Sequence, residues 1–410
     1  MNIIFFDDSQ AAHLQPLTLT RPAAELHCGA LTNSQRTQLL SAQMGVNVNI
    51  SYFCDSFLSL QYQPVLSEKE DNYFINGRIL ADKELVTKLL DLPANTLLIK
   101  DNLLLAARLN ADLSANFSQI LNFAAFNQIN INLNIIRADF PIISLNRCWD
   151  LFLLNDKMLK NDFILLTKNQ TSREISPTNT IIGDKSQIFI SEGAIVEAAT
   201  INCSQSPVFI GKNAEIMEGA MVRNGLFLGE NACLKMGAKI YGATTIAAGS
   251  KVGGEVSNSV IFPNTNKAHD GFLGNSVLGS WVNLGADTNN SNLKNTYGSV
   301  QVWDYPSQSY QDSRQQFCGL VVGDHSKFGI NSMLNTGTVV GVFANVFGAG
   351  FPPKFVRSFS WGDNTQTYQL EKAFEVAETV MSRRKMQLSA GEKAVLAHIF
   401  GLAVDSGLLY

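Results

Sequence analysis

The chain has 410 residues, 46% of them hydrophobic and 16% charged, with a formal net charge of −4. That balance excludes general disorder and gives no electrostatic reason to expect a nucleic-acid partner. Its six cysteines, Cys28, Cys54, Cys148, Cys203, Cys233 and Cys318, are scattered without a C-x-x-C pair, which reads as reduced core thiols and a cytoplasmic location.

The first eight residues, Met1-Asn2-Ile3-Ile4-Phe5-Phe6-Asp7-Asp8, lack a basic segment and become acidic at once. They read as a buried first strand rather than a signal peptide. No apolar run approaches a membrane span, so no membrane partner is expected. Further on, residues 32–44 predict a helix capped by Thr32 or Asn33, and residues 46–53 a strand. Residues 73–75 predict a strand closing at Asn76-Gly77, residues 82–90 a helix, 97–99 a strand and 101–109 a helix. Alternating strands and helices predict a Rossmann-like α/β sheet. Ligands on such sheets bind outside the carboxyl ends of the strands. This singles out Asp7, Asp8, Asn76 and the loop holding Thr20 and Arg21. Arg21 is either a phosphate ligand, through its planar fork, or a structural ion-pair partner.

Three stretches carry a resemblance: Leu17-Thr18-Leu19-Thr20-Arg21-Pro22-Ala23-Ala24-Glu25-Leu26, Tyr73-Phe74-Ile75-Asn76-Gly77-Arg78-Ile79-Leu80 and Leu104-Leu105-Ala106-Ala107-Arg108-Leu109. With the repeats described next, they resemble a divergent sugar nucleotidyltransferase family. There the α/β domain is joined to a left-handed β-helix, as in the bifunctional enzymes that make UDP-N-acetylglucosamine. The resemblance implies a nucleotide site at Asp7, Asp8, Thr20, Arg21 and Asn76, with Mg²⁺ if that site is active, and leaves the metal ligands unknown. The family's Gly-rich loop ends in Gly-Thr-Arg and is followed by a Pro-Lys. Here only Thr20-Arg21 remains, no glycine precedes Gly29, and Asn76-Gly77 stands near the family's metal-binding Asp. Nucleotidyl transfer needs that charge neutralisation.

A Ser/Thr/Asn/Pro-rich stretch at 171–180 reads as a linker between a domain of residues 1–170 and one of 181–350. Within the second domain aliphatic residues recur every six positions: Ile210, Ile216, Val222, Leu228, Leu234, Ile240, Ile246 and Val252. Small residues follow most of them four places later, at Ala214, Ala220, Ala232, Ala238, Thr244 and Ser250. A period of six suits neither a helix nor an alternating strand; it predicts a hexapeptide β-helix, a form that is usually left-handed. Ile182, Ile188, Ile190 and Val196 open the series. Phe272, Leu278 and Leu284 resume it, and Val322, Phe328, Leu334, Val340 and Val346 complete it. Excursions from such a scaffold carry its function.

His269 stands at the first interruption, followed by Val282-Asn283-Leu284-Gly285-Ala286 and an Asn-rich excursion around Asn289-Asn290-Ser291-Asn292. This pattern is similar to the acetyltransferase site of the same bifunctional family. The resemblance implies His269 as general base, Asn283 as a sugar contact, Ala286 beside the thioester and Asn292 as the later site Asn. Three positions depart from it: Phe272 replaces a Tyr, Asp287 a Gly, and Ile330 the Ser of the oxyanion site. Tyr297 stands in for the lost tyrosine, and a backbone N–H at Ile330 for the serine. Lys267 and Lys294 are candidates to hold a sugar phosphate. The implied substrates are a sugar phosphate, a nucleotide and acetyl-CoA as acyl donor, and the implied assembly is a homotrimer. A zinc hydratase on the same fold would need three converging histidines, whereas the solenoid holds His269 and His325.

Residues 351–410 read as a Pro-interrupted loop from Gly348 to Gly362 and two helices. The first spans 371–385, with Phe374, Ala377 and Met381 on one face and Arg383-Arg384-Lys385 at its end. The second opens with the capping box Ser389-Ala390-Gly391-Glu392. Two functions stay open: a transferase of nucleotide-sugar synthesis, or a binding protein in which one or both sites have decayed.

Overall fold

The structure is a computed structural model that describes residues 1–121, 133–362 and 364–405. The chain divides into two compact units. The first comprises Met1–Leu14, Arg21–Leu26 and Leu31–Asn146, and the second Gln15–Thr20, His27–Ala30 and Arg147–Tyr410.

The first unit is built on a six-stranded sheet in the order β2-β1-β3-β5-β4-β6, from β1 (Asn2–Phe6), β2 (Asn49–Phe53), β3 (Asn72–Asn76), β4 (Thr96–Lys100), β5 (Leu103–Leu109) and β6 (Asn134–Arg137). Both faces of β1 are buried, which is why it reads as an unbroken apolar run. Ile3 and Phe5 pack in one layer with Leu85 and Leu89 of helix α2 (Lys83–Leu90), while Ile4 and Phe6 pack in the other with Phe74 and Phe117. Helix α1 (Asn33–Gln43) is started by Thr32, which accepts from the amide of Gln35 in a capping box, and α2 by Asp82, whose carboxylate accepts from the amide of Leu85. The helix expected at 101–109 is instead β5, antiparallel between β3 and β4. Asp101, at φ +52°, turns the chain straight back from β4, and pairing on both edges overrides the helix preference of a Leu/Ala run.

In the second unit the strands stack into three long sheets of six, nine and ten strands, parallel except for Gln366–Thr367, which closes the ten-stranded sheet antiparallel to Ser360–Trp361, and they form a parallel β-helix. All eight aliphatics of the main repeat and all six small residues are buried, and the aliphatics share one core. Each coil pairs in register with the next; Leu228, for instance, lies between Ile210 and Ile246. The backbone thus satisfies its own polar groups between coils.

The register departs from the expected one at three places. In the first coil Ile181, not Ile182, pairs with Ile201, and Ile182 is exposed. At the first interruption Leu273, not Phe272, enters the core, because Val256 sets the register of its neighbour. The solenoid also runs one coil past Val346: Phe355–Val356 pairs with Val339–Val340 and Trp361 with Asn345, within the stretch expected to be a loop. Helices Leu370–Ser382 and Ala390–Asp405 follow. Ser389 accepts from the amide of Glu392, whose carboxylate accepts from the amide of Ser389, so the expected capping box is present.

Candidate functional site

In the first unit the carboxyl ends of β1 and β3 bring Asp7, Asp8 and Asn76 together with Arg78. Among the described residues Arg78 is the largest fully buried side chain. Its Nε donates to Oδ1 of Asp8 at 2.7 Å and an Nη to Oδ2 at 2.6 Å. Its other Nη donates to the carbonyl of Leu145 at 2.9 Å and to Oδ1 of Asn146 at 3.0 Å. Asn76 adds a third donor to Asp8, at 2.8 Å. Burial alone would raise the Asp8 carboxyl, but the hydrogen bonds and charge of Arg78 outweigh it and hold the pKa below the ordinary value.

Asp7 lies beside this pair in a different state. Burial pushes its pKa up to about 7, against the amide of Ala23, which donates to both carboxylate oxygens at 3.1 and 3.3 Å. The charges of Asp55 and Asp8 push the same way as burial. One carboxylate is therefore held charged by Arg78, while burial holds the other well above the ordinary carboxylate range. This pair does not fit a divalent cation, and among the described residues no group of three or more His, Cys, Asp or Glu is gathered for a metal. The charge of Arg21 bears on Glu25, a residue bonded to the hydroxyl of Tyr52. Thr20, expected beside Arg21 in the nucleotide site, belongs to the second unit, where its hydroxyl donates to Asp324 at 2.9 Å.

On the solenoid, one corner gathers the acyltransfer candidates. Strands ending at Lys267, Leu284 and Phe328 restart at Phe272, Asn289 and Met333, so the three corners between them have equal length. The pairings of Asn266 with Asn283 and of Leu284 with Phe328 bring these corners into line. His269, Ala286 and Ile330 consequently occupy the same corner position in successive coils, about 4.8 Å apart per coil. Backbone bonds tie the column: Asp287 N to the carbonyl of Asp270 at 3.2 Å and Asn331 N to that of Ala286 at 2.8 Å. His269 and Ile330 are both exposed. On the strand before this corner Asn283 faces outward, and its Oδ1 accepts from Asn266 Nδ2 at 2.8 Å.

The Asn-rich excursion leaves from the opposite edge of the face that begins at Phe272. Asn292 is fixed there, with Nδ2 donating to Asn275 at 2.8 Å and its carbonyl accepting from Cys318 at 2.9 Å. Phe272 spans the gap. A Cβ built on Gly274 would lie 2.5 Å from the tip of the Phe272 ring and 2.6 Å from the Asn292 amide, so the ring lies flat along the face toward Asn292. Tyr297 is 68% exposed at the excursion's turn, and Lys294 Nζ donates to the carbonyl of Ser299. Lys267, expected as a phosphate ligand, points into the prism: it is 2% exposed and pairs with the core residue Val252. His325 lies on another corner, stacked between Trp281 at 6.1 Å and Phe343 at 4.6 Å.

Two features of the site carried no recognisable sequence signal. Arg78 stood within a quoted motif, but a buried arginine is not legible from its type. A hollow of about 320 Å³ lies at the far end of this column, next to the Ile330 corner, lined by Ser332, Met333, Phe347, Phe351 and Trp361 among others. Phe347 and Trp361 meet edge to face at 5.3 Å.

Residues 3–171 match the family model described as sugar nucleotidyl transferase. The bifunctional protein GlmU of Synechococcus elongatus is 30% identical over 146 residues, which cover 34% of this chain and 28% of that protein. The bifunctional sugar-1-phosphate nucleotidylyltransferase/acetyltransferase of Sulfurisphaera tokodaii is 26% identical over 142 residues, 34% of this chain and 35% of its own length. The match thus spans about a third or less of these relatives. Among solved structures, the UDP-N-acetylglucosamine acyltransferase from Campylobacter jejuni aligns over 55% of this chain and 95% of its own, at 12% identity and a TM-score of 0.29. Residues 3–171 are therefore similar in sequence to sugar nucleotidyl transferases, and about a third of the chain resembles part of the bifunctional nucleotidylyltransferase–acetyltransferases.

Proposed function

We propose that this protein is an acetyltransferase of nucleotide-sugar synthesis, moving the acetyl group of acetyl-CoA onto the amine of an amino-sugar phosphate. The observation that carries this reading is the corner column of His269, Ala286 and Ile330. It sets an exposed imidazole in line with two further corner positions, and the hollow next to the Ile330 corner, of mixed polar and apolar lining, takes the acyl donor's arm. His269 acts as general base: neutral imidazole takes the proton that the sugar nitrogen sheds as the C–N bond forms. The C–S bond then breaks, and the departing thiolate takes that proton back from the imidazolium. The backbone at Ala286 and Ile330 lies toward the thioester, and an N–H there stabilises the developing oxyanion. Asn283 and Asn292, with Lys294 and Tyr297, serve the sugar side. His269 and Ile330 are both exposed, so a dry site requires a second surface. A homotrimer of these prisms would supply it.

For the first unit the pairing of Asp8 with Arg78 favours a narrower reading. Asp8 and Asn76 are taken up by Arg78, and Asp7 and Arg21 bind a nucleotide or sugar nucleotide without transferring a nucleotidyl group.

The deciding experiment incubates the protein with glucosamine-1-phosphate, acetyl-CoA, UTP and Mg²⁺ and follows free thiol and pyrophosphate separately. Thiol release without pyrophosphate is the expected outcome. His269→Ala should lower the acetyl-transfer rate by roughly 10²–10⁴, the usual worth of a positioned base. Thiol release unchanged in His269→Ala would sink the proposal, and pyrophosphate release would restore a bifunctional enzyme.

A further inference from the structure

Lys267 is out of place by every rule of the solenoid. The inward positions of its sheet are otherwise apolar: Val196, Ile216, Leu234 and Val252 precede it, and Leu284, Phe328 and Val346 follow. An ammonium there gives up its hydration, at an effective penalty of several kcal/mol unless its protons find acceptors. Its acceptors lie in the corner that follows. Nζ donates to the carbonyl of His269 at 2.6 Å and to that of Asp270 at 3.3 Å.

Several corners of the solenoid are closed by an amide bonding back three residues, as Ala238 does to Lys235 and Thr288 to Gly285 in the next coil. Residues 268–271 instead turn the carbonyls of His269 and Asp270 toward the lysine. The preceding coil makes room with Gly253-Gly254: a Cβ on Gly254 would lie 2.8 Å from Asp270 Cα and 2.9 Å from the His269 carbonyl. Turning the carbonyls inward sends the side chain of His269 outward, where it is exposed.

We infer that Lys267 is a positioning residue, whose buried ammonium holds the peptide groups of His269 and Asp270 and thereby aims the imidazole. The inference rests on the reading of His269 as general base. Burial, opposed by the charges of Asp270 and Asp287, brings the lysine pKa down to about 8. Above that pH the ammonium loses a proton and its hold on the carbonyls weakens, so the rate should carry an alkaline limb.

The test compares wild type, Lys267→Met, Lys267→Gln and His269→Ala by acetyl transfer from acetyl-CoA to glucosamine-1-phosphate, with thermal melts on the same preparations. Methionine fills the lysine's volume without its donors. Lys267→Met should keep its melting temperature and its KM for the sugar while kcat falls at least tenfold, and the alkaline limb should disappear. Lys267→Gln, which retains an N–H donor, should recover part of kcat. If Lys267→Met fails to fold, the Gln variant and the alkaline limb of the wild type decide alone. Full kcat in Lys267→Met or Lys267→Gln, or a wild-type rate flat through pH 8 to 10, would overturn the positioning role while leaving His269 as base. Full activity in His269→Ala would remove both.

Discussion

The ion pair of Asp8 and Arg78 offers the most direct test of how the first unit is held together. Asp8→Asn removes the charge but little volume, and it leaves a guanidinium whose side chain is 2% exposed facing a neutral amide. Arg78 keeps its bonds to Leu145 and Asn146, so one half of the fork stays satisfied. Breaking a buried pair by removing one partner costs about 3–5 kcal/mol. Asp8 is 17% exposed, too little for solvent to screen most of that loss. Hydrogen exchange of β1, read by mass spectrometry on peptides covering Asn2–Phe6, isolates the effect from the second unit. Amide exchange there should speed up by roughly a hundredfold to several thousandfold, at 1.36 kcal/mol per tenfold. The pH dependence has a fixed sign. The folded pKa of Asp8 lies below the ordinary 3.8, so the stabilisation is present above that pH and is lost as pH falls through the folded value. The double variant Asp8→Leu/Arg78→Met should recover most of the loss, because an apolar pair carries no desolvation cost. A change below about 1 kcal/mol in Asp8→Asn would refute the reasoning and return Asp8 to the pool of free ligands.

Gly254→Ala should destabilise the second unit by about 2 kcal/mol or more, seen as a lower melting temperature, because φ is +69° there and the new methyl meets backbone atoms of Asp270 and Gly271. His269→Ala, by contrast, should leave the melt within about 0.5 kcal/mol, since its side chain is exposed and fills no part of the prism.

The solenoid was legible in the sequence because its period is a property of the backbone: one strand and one corner take six residues whatever the side chains. The aliphatics of the main run therefore fall inward as expected. The reading failed where a local preference met a tertiary constraint. Leu103–Leu109 favours a helix in isolation and becomes a strand only because β3 and β4 flank it. Phe272 kept the six-residue count, but Val256 below it fixed Leu273 as the inward residue. At the candidate site the residue types were readable and their spatial order was not. His269, Ala286 and Ile330 fall in one column only because three corners of equal length succeed one another, across an excursion whose length hides the register. A lysine at an interruption reads as solvated or as a ligand. Its inward direction depends on the strand before it, which the repeat alone does not specify.

The same interruption is bridged by asparagine. The sheet containing Phe272–Gly274 ends there, and the next strand, Asn289–Asn290, pairs with Met333–Leu334 in a separate sheet. Backbone bonds across the break are replaced by side chains. Phe272 N donates to Oδ1 of Asn289 at 2.7 Å and Gly274 N to Oδ1 of Asn290 at 3.0 Å. Asn290 is itself buried, in register with the core residue Leu334, and its amide donates to the carbonyls of Gly274 at 3.3 Å and Ser291 at 3.2 Å. Asn290→Ala orphans the buried amide of Gly274, worth about 1–3 kcal/mol, and opens a void costing about 1 kcal/mol more. The carbonyl of Gly274 keeps the hydroxyl of Ser276, at 2.8 Å, so it adds little. The expected loss is about 2–4 kcal/mol from these two terms. The Gly274 amide should lose at least ten times more protection than that of Val256, which stays within an unbroken stretch of sheet. Asn289→Ala is the control, since Asn289 is exposed and water can take over its bond to Phe272. If Asn290→Ala melts within about 1 kcal/mol of wild type and Gly274 keeps its protection, the asparagine bridge does not hold the coils together, and another contact must tether the excursion that carries Asn292.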